Sequence, residues 1–130
     1  MTVPSDAARL LTSDPLMAHL ATCRDGRPHV APVWYVYDES TETVELVTTG
    51  RKLANVRENP RVGLSMTAPD DPYRFLSVRG VVDEVTEDGA VDHIDALAAR
   101  YMGVDEYPNH GDEDGARVLL KIRPEHVAHS

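Results

Sequence analysis

The chain has 130 residues, with 42% hydrophobic and 27% charged, and a formal net charge of −9 from 13 basic and 22 acidic side chains. That length suits one globular domain, residues 1–130, and the acid excess argues against general nucleic-acid binding, which needs a basic surface to meet phosphates. One cysteine, Cys23, rules out an intrachain disulfide and makes the cytoplasm the expected compartment. MTVPSDAARLL lacks a signal-peptide pattern, and no apolar run approaches the ~20 residues that span a membrane.

In chain order, SDAARLL reads as a short helix with Ser5 as its N-cap, stopped by Pro15. Leu16–Cys23 reads as a strand, Asp25-Gly26 as a hairpin turn and His29–Asp38 as the return strand. Pro32 has no N–H for a ladder, so the return strand needs an edge position or a bulge there. After the polar turn DESTET, Thr43–Gly50 is a third strand. Arg51–Asn59 is then a helix with Leu53 and Val56 on its apolar side, ended by Pro60.

Arg61–Ala68 is a fourth strand, PDDP a loop, and Tyr73–Glu87 a long fifth strand that Gly80 lets bend. Asp88–Gly103 is the clearest helix, with Val91, Ile94, Leu97, Ala98 and Tyr101 on one face and Gly103 as its C′ residue. The polar loop VDEYPNHGDEDG leads to a final strand, Ala116–Pro124. Short connections favour antiparallel pairing. Six long strands with few helices are expected to form a mainly β, closed or partly closed barrel, which removes exposed edges.

TTGRKLAN, Thr48–Asn55, poses an electrostatic puzzle. Two cations, Arg51 and Lys52, fall in the first turn of a helix, where the dipole favours anions. From Arg51 to Arg61 there are four bases, Arg51, Lys52, Arg57 and Arg61, against one acid, Glu58. Free N–H groups after Gly50, the hydroxyls of Thr48 and Thr49, the Lys52 ammonium and Asn55 one turn on together make a phosphate site. The alternative is that both cations simply lie in solvent. Nearby, Trp34 alternates with Tyr35 and Tyr37, so Trp34 takes one face and the tyrosines the other. Trp34 then reads either as barrel core or as a wall for a flat ring.

Other motifs carry less. Cys23 with His19 four residues back is a weak nucleophilic pair. The histidines have no metal-ligand spacing, and His126 and His129 are expected in solvent. NHGDEDG (Asn109–Gly115) has a calcium-loop flavour without the required downstream Glu. Neither a Rossmann nor a Walker A motif occurs, and no catalytic residue stands out.

The ordered set LATCRDGRPHVAPVWYVYD, TTGRKLANVRENPRVGLSM and SVRGVVDEV resembles the split β-barrel flavin-binding proteins related to pyridoxamine 5′-phosphate oxidase. Within them, helped by YMGVDEYPNHGDEDGARVLLKIRPEHV, it is similar to small members that use the deazaflavin cofactor F420. The resemblance implies a six-stranded antiparallel split β-barrel, paired as a homodimer with cofactor at the interface. It implies that Arg51, Lys52 and Asn55 meet the cofactor phosphate. Thr48, Thr49 and Gly50 would lie at the adjoining strand end, and Pro32, Val33 and Trp34 along the ring. VAPVWYVYD has no base, and the C-terminal PEHVAHS lacks the family's substrate arginine, so oxidation of pyridoxine phosphate is not expected. The implied activity is hydride transfer from reduced F420 to an unidentified small organic acceptor. FMN is the alternative cofactor. A non-catalytic module that binds a cofactor, haem or another tetrapyrrole, with His19, His29 or His110 as axial ligand for haem, is the alternative of another class.

Overall fold

Asp25 and Gly26 both adopt positive φ, 52° and 73°, the combination a two-residue hairpin turn requires. They join β1 (Ala18–Arg24) to β2 (Arg27–Val33) in a computed structural model that describes residues 3, 9, 11–12, 17–48, 50–104 and 117–129. Next come β3 (Val36–Asp38), β4 (Thr43–Thr48), α1 (Gly50–Glu58), β5 (Arg61–Ala68), β6 (Asp71–Thr86), α2 (Ala90–Met102) and β7 (Val118–His129). Among the described residues the strands form one sheet in the order β2-β1-β5-β6-β7-β4-β3, and every pairing is antiparallel.

The two edge strands of this sheet, β2 and β3, are consecutive in the chain and separated only by Trp34 and Tyr35. Three residues of extended chain from Val33 to Val36 reach at most roughly 11 Å. The sheet must therefore roll until its edges almost meet, which gives a barrel split along one seam. This corrects the strand count. HVAPVWYVYD is not one return strand; it breaks at Trp34–Tyr35, so the sheet has seven strands rather than six. Its first half pairs with β1 and its second with β4. Pro32 sits on the edge strand β2 opposite His19, where its missing N–H disrupts no inner ladder.

Alternation sorts each strand between the barrel interior and its outer face. On β4, Val44, Leu46 and Thr48 point inward, while Thr43, Glu45 and Val47 face out. Leu20, Tyr35, Leu46, Met66, Leu76, Leu120 and Ile122 are fully buried in the core. Helix α2 packs over β4 and β7 through Ala90, Ile94, Leu97 and Ala98. Val91, expected on that face, is 54% exposed. Gly103 ends α2 in the left-handed region, its N–H bonded to the carbonyl of Ala99. No helix among the described residues is long and apolar enough to cross a membrane. The first helix expected over SDAARLL falls largely outside the described residues, as do the NHGDEDG loop, His110 and Thr49.

The last strand overruns its expected end. β7 continues through Pro124 to His129, because the ladder with β6 shifts register at Arg79/Gly80 and sets Gly80 opposite Pro124. A bulge is where a strand tolerates proline, and it forces close approach of the two backbones. A Cβ at Gly80 would lie 2.7 Å from the Arg123 carbonyl oxygen and 2.9 Å from Cγ2 of Ile122. Gly80→Ala is expected to destabilise the fold by about 1–3 kcal/mol through overpacking, read as a lower urea midpoint; an unchanged midpoint would refute the close approach.

Candidate functional site

The junction of β4 and α1 carries the charge puzzle. Helix α1 has no acidic residue in its first turn, and Lys52 lies there, half-buried. Among the described residues the Lys52 ammonium has no ion-pair or hydrogen-bond partner. The first-turn N–H groups of a helix likewise lack intrahelical acceptors, and the dipole end is positive. Lys52 opens onto a cleft of about 180 Å³ that it shares with Met17, Pro32, Val33, Trp34, Val47, Ile94 and Leu97. Four residues singled out from sequence thus converge: Pro32, Val33, Trp34 and Lys52. The arrangement is a cation and a helix terminus at the rim of a small open slot of mixed polar and apolar surface, suited to a flat ligand with an anionic tail.

The remaining expected residues lie elsewhere. Thr48 is buried, pointing into the barrel at the end of β4. Gly50 begins α1. Arg51 is helical in backbone, and its side chain lies outside the described residues, as does the whole of Thr49. Asn55 is 4% exposed and donates its Nδ2–H to Oγ1 of Thr22 at 2.9 Å, also buried. It pins α1 to β1 and borders a different cleft, with Arg24, Arg27 and His29. The one-turn spacing from Lys52 therefore does not bring the two side chains to one pocket.

Trp34 is held by a residue that the sequence assigned only to a helix face. Tyr101 of α2 stacks on Trp34 with ring centroids 5.3 Å apart and planes at 13°. Its hydroxyl accepts the backbone N–H of Tyr35 at 3.3 Å and donates to the Tyr35 carbonyl at 3.2 Å. The Tyr35 hydroxyl in turn donates to the Leu11 carbonyl at 3.2 Å. Burial raises the pKa of both phenols, so each keeps the proton these bonds need. The sequence offered one signal: a tyrosine on an apolar helix face needs a partner for its hydroxyl.

Cys23 and His19 lie four positions apart on β1, about 13 Å along a strand, too far for a nucleophilic pair. His126 and His129 are exposed, but on β7 rather than in a tail. Among the described residues no three His, Cys, Asp or Glu side chains group to hold a metal.

Residues 4–130 match the pyridoxamine 5′-phosphate oxidase family. A solved F420 reductase is 34% identical, with 97% of this chain and 98% of that one covered and a TM-score of 0.81. A putative pyridoxamine 5′-phosphate oxidase from Listeria innocua is 20% identical over 94% of this chain and 93% of its own, TM-score 0.69. HutZ, the haem storage protein from Vibrio cholerae, is 17% identical over 99% and 95%, TM-score 0.70. The last two share the fold. A search of curated proteins finds no match.

Tyr101→Phe keeps the stacked ring and removes both bonds to the Tyr35 backbone. Stability is expected to fall by about 1–3 kcal/mol, measured by urea unfolding followed through the fluorescence of Trp34, the sole tryptophan. Unaltered stability would mean that the hydroxyl does not hold the seam.

Proposed function

The chain belongs to the pyridoxamine 5′-phosphate oxidase family, and we propose that within it the protein is an oxidoreductase using reduced coenzyme F420 to reduce a small organic acceptor. The observation that carries this reading is the Lys52 ammonium, without a partner among the described residues, at the positive end of α1 on the same cleft as Pro32, Val33 and Trp34. The match to an F420 reductase over almost the whole of both chains favours F420 over FMN.

When bound, F420 supplies the hydride; the chain's own residues supply grip, orientation and a dry wall. Lys52 and the α1 N–H groups hold the phosphate. Among the described residues, the edge strand β2 carries backbone groups on its outer side that no neighbouring strand takes up. Pro32 and Val33 present that edge along the ring. Met17, Val47, Ile94 and Leu97 line the slot with apolar side chains against which a flat ring packs.

The cleft of about 180 Å³ falls below the ~300–1,000 Å³ usual for a small-molecule site. One chain thus supplies part of a site, and a second copy supplies the rest, making the working unit a homodimer with cofactor at its interface. The outer face of β1, β5 and β6 suits such a partner, because Ala21, Gly63 and Gly80 floor a shallow groove of about 570 Å³. Light scattering in solution is expected to report twice the 14.3-kDa chain mass; a monomer that binds cofactor fully would overturn this part.

Titration with F420 and with FMN separates the readings. F420 is expected to bind more tightly, and Lys52→Ala to lose about 1.5–3 kcal/mol of affinity, as for a hydrogen bond to a charged group. A loss of only a few tenths would move the phosphate away from Lys52. Tighter FMN binding would select the flavin reading. A Soret band on haem titration, without turnover of reduced F420 on any acceptor, would select the haem-binding module.

A further inference from the structure

Helix α2 borders two clefts. One, of about 710 Å³, opens beside Val36, Glu45 and His93; the other is the Lys52 cleft, and the two share Leu97. Of the two, only the Lys52 cleft reaches Trp34. Ile94, Leu97 and Tyr101 follow one another along α2 at spacings of three and four, so they share one side of the helix. Ile94 and Leu97 line the Lys52 cleft; Tyr101 does not. Its ring lies against the Trp34 indole instead, so Tyr101 reaches the cleft through Trp34.

Trp34 stands in the crossing between β2 and β3, where it belongs to neither ladder. Its indole has two side-chain torsions to fix, on a stretch of backbone that no strand holds. Tyr101 acts on both. Its ring stacks on the indole, with centroids 5.3 Å apart and planes at 13°. Its hydroxyl bonds the N–H and the carbonyl of Tyr35. The Tyr35 N–H belongs to the same planar peptide unit as the Trp34 carbonyl. The hydroxyl therefore fixes the backbone beside Trp34, and the ring fixes the side chain.

The two contacts do different work. The hydrogen bonds serve the seam, where buried backbone groups need partners. The stack serves the indole. It is built within one chain, so the indole is set before a ligand arrives. A side chain ordered in advance spares a ligand the entropy cost of ordering it.

We propose that Tyr101 is a positioning residue of the coenzyme site: its ring holds the Trp34 indole where a flat redox ring in the Lys52 cleft packs against it. The inference rests on the coenzyme reading, and it concerns the ring end of the ligand, whereas Lys52 concerns the phosphate end.

Titration of the full-length protein with F420, and with the same deazaflavin lacking its phosphate tail, separates the two ends. Tyr101→Leu is expected to weaken both ligands alike, by about three- to tenfold, the size of one aromatic stack. Tyr101→Phe keeps the stack and should bind both as the wild type does, despite its weaker seam. Tyr101→Leu added to Trp34→Leu should cost nothing further, because the effect passes through Trp34. Lys52→Ala should weaken F420 alone. In the wild type, both ligands should quench the fluorescence of Trp34, the sole tryptophan. Wild-type affinity in Tyr101→Leu, an equal loss in Tyr101→Phe, a further loss in the double variant, or unquenched Trp34 at saturation would each overturn the role of Tyr101. A loss in Tyr101→Leu with none in Lys52→Ala would uphold Tyr101 and move the phosphate away from Lys52. A wild-type chain that binds neither ligand would overturn both.

Discussion

An antiparallel sheet whose two edges are consecutive in the chain has to solve one problem: the residues that cross the gap belong to no ladder. Here the crossing is made by Trp34 and Tyr35, and buried backbone groups at such a gap must find partners or cost stability. The Tyr101 hydroxyl meets both needs of Tyr35, accepting its N–H and donating to its carbonyl. One phenol thus stands in for a neighbouring strand. The same ring stacks on Trp34, so the side chain that closes the barrel also fixes the aromatic wall of the Lys52 cleft.

That arrangement explains why the candidate site lies at the seam. Inner strands spend their backbone groups on each other; an edge strand keeps one side free. β2 brings Pro32 and Val33 to the seam, and the β4–α1 junction brings Lys52. A cation in the first turn of a helix opposes the dipole by about 0.3–1 kcal/mol. An anionic ligand offsets that cost, because the dipole and the ammonium both attract it. Asn55 contributes one step removed: its bond to Thr22 fixes α1 against β1 and with it the direction in which Lys52 points.

Much of the fold was legible because it rested on local rules. Asp25-Gly26 demanded a tight turn, Gly103 a helix end, and the alternation in TVELVT a half-buried strand. Pro32 pointed correctly to an edge. The break at Trp34–Tyr35 was not legible, because a strand that changes partners keeps its period of two across the crossing: Tyr35 and Tyr37 still point inward. The β7 overrun was hidden for a related reason. Pro124 reads locally as a stop, and only Gly80, on another strand, makes room for the bulge that lets it through. At the site, the clustering of Lys52 with Pro32–Trp34 followed from motif order. The separation of Asn55 did not, since helical spacing gives a shared side but not which neighbour each side chain meets. Tyr101 was read as core because its position on α2 is amphipathic; what its hydroxyl does depends on a residue 66 positions away.

The two clefts beside α2 are best distinguished by charge. With a net charge of −9, the molecule repels anions in general, and only a local excess of positive charge draws one in. The first turn of α1 supplies that excess through Lys52 and the dipole of the helix. On the adjoining flank of α2 the balance is opposite, with Asp38, Glu39 and Glu45 beside Arg100. Such fields act over roughly a Debye length, about 8–10 Å at physiological salt, comparable with the diameter of a helix. Leu97, buried beneath both, closes the floor between them with an apolar side chain.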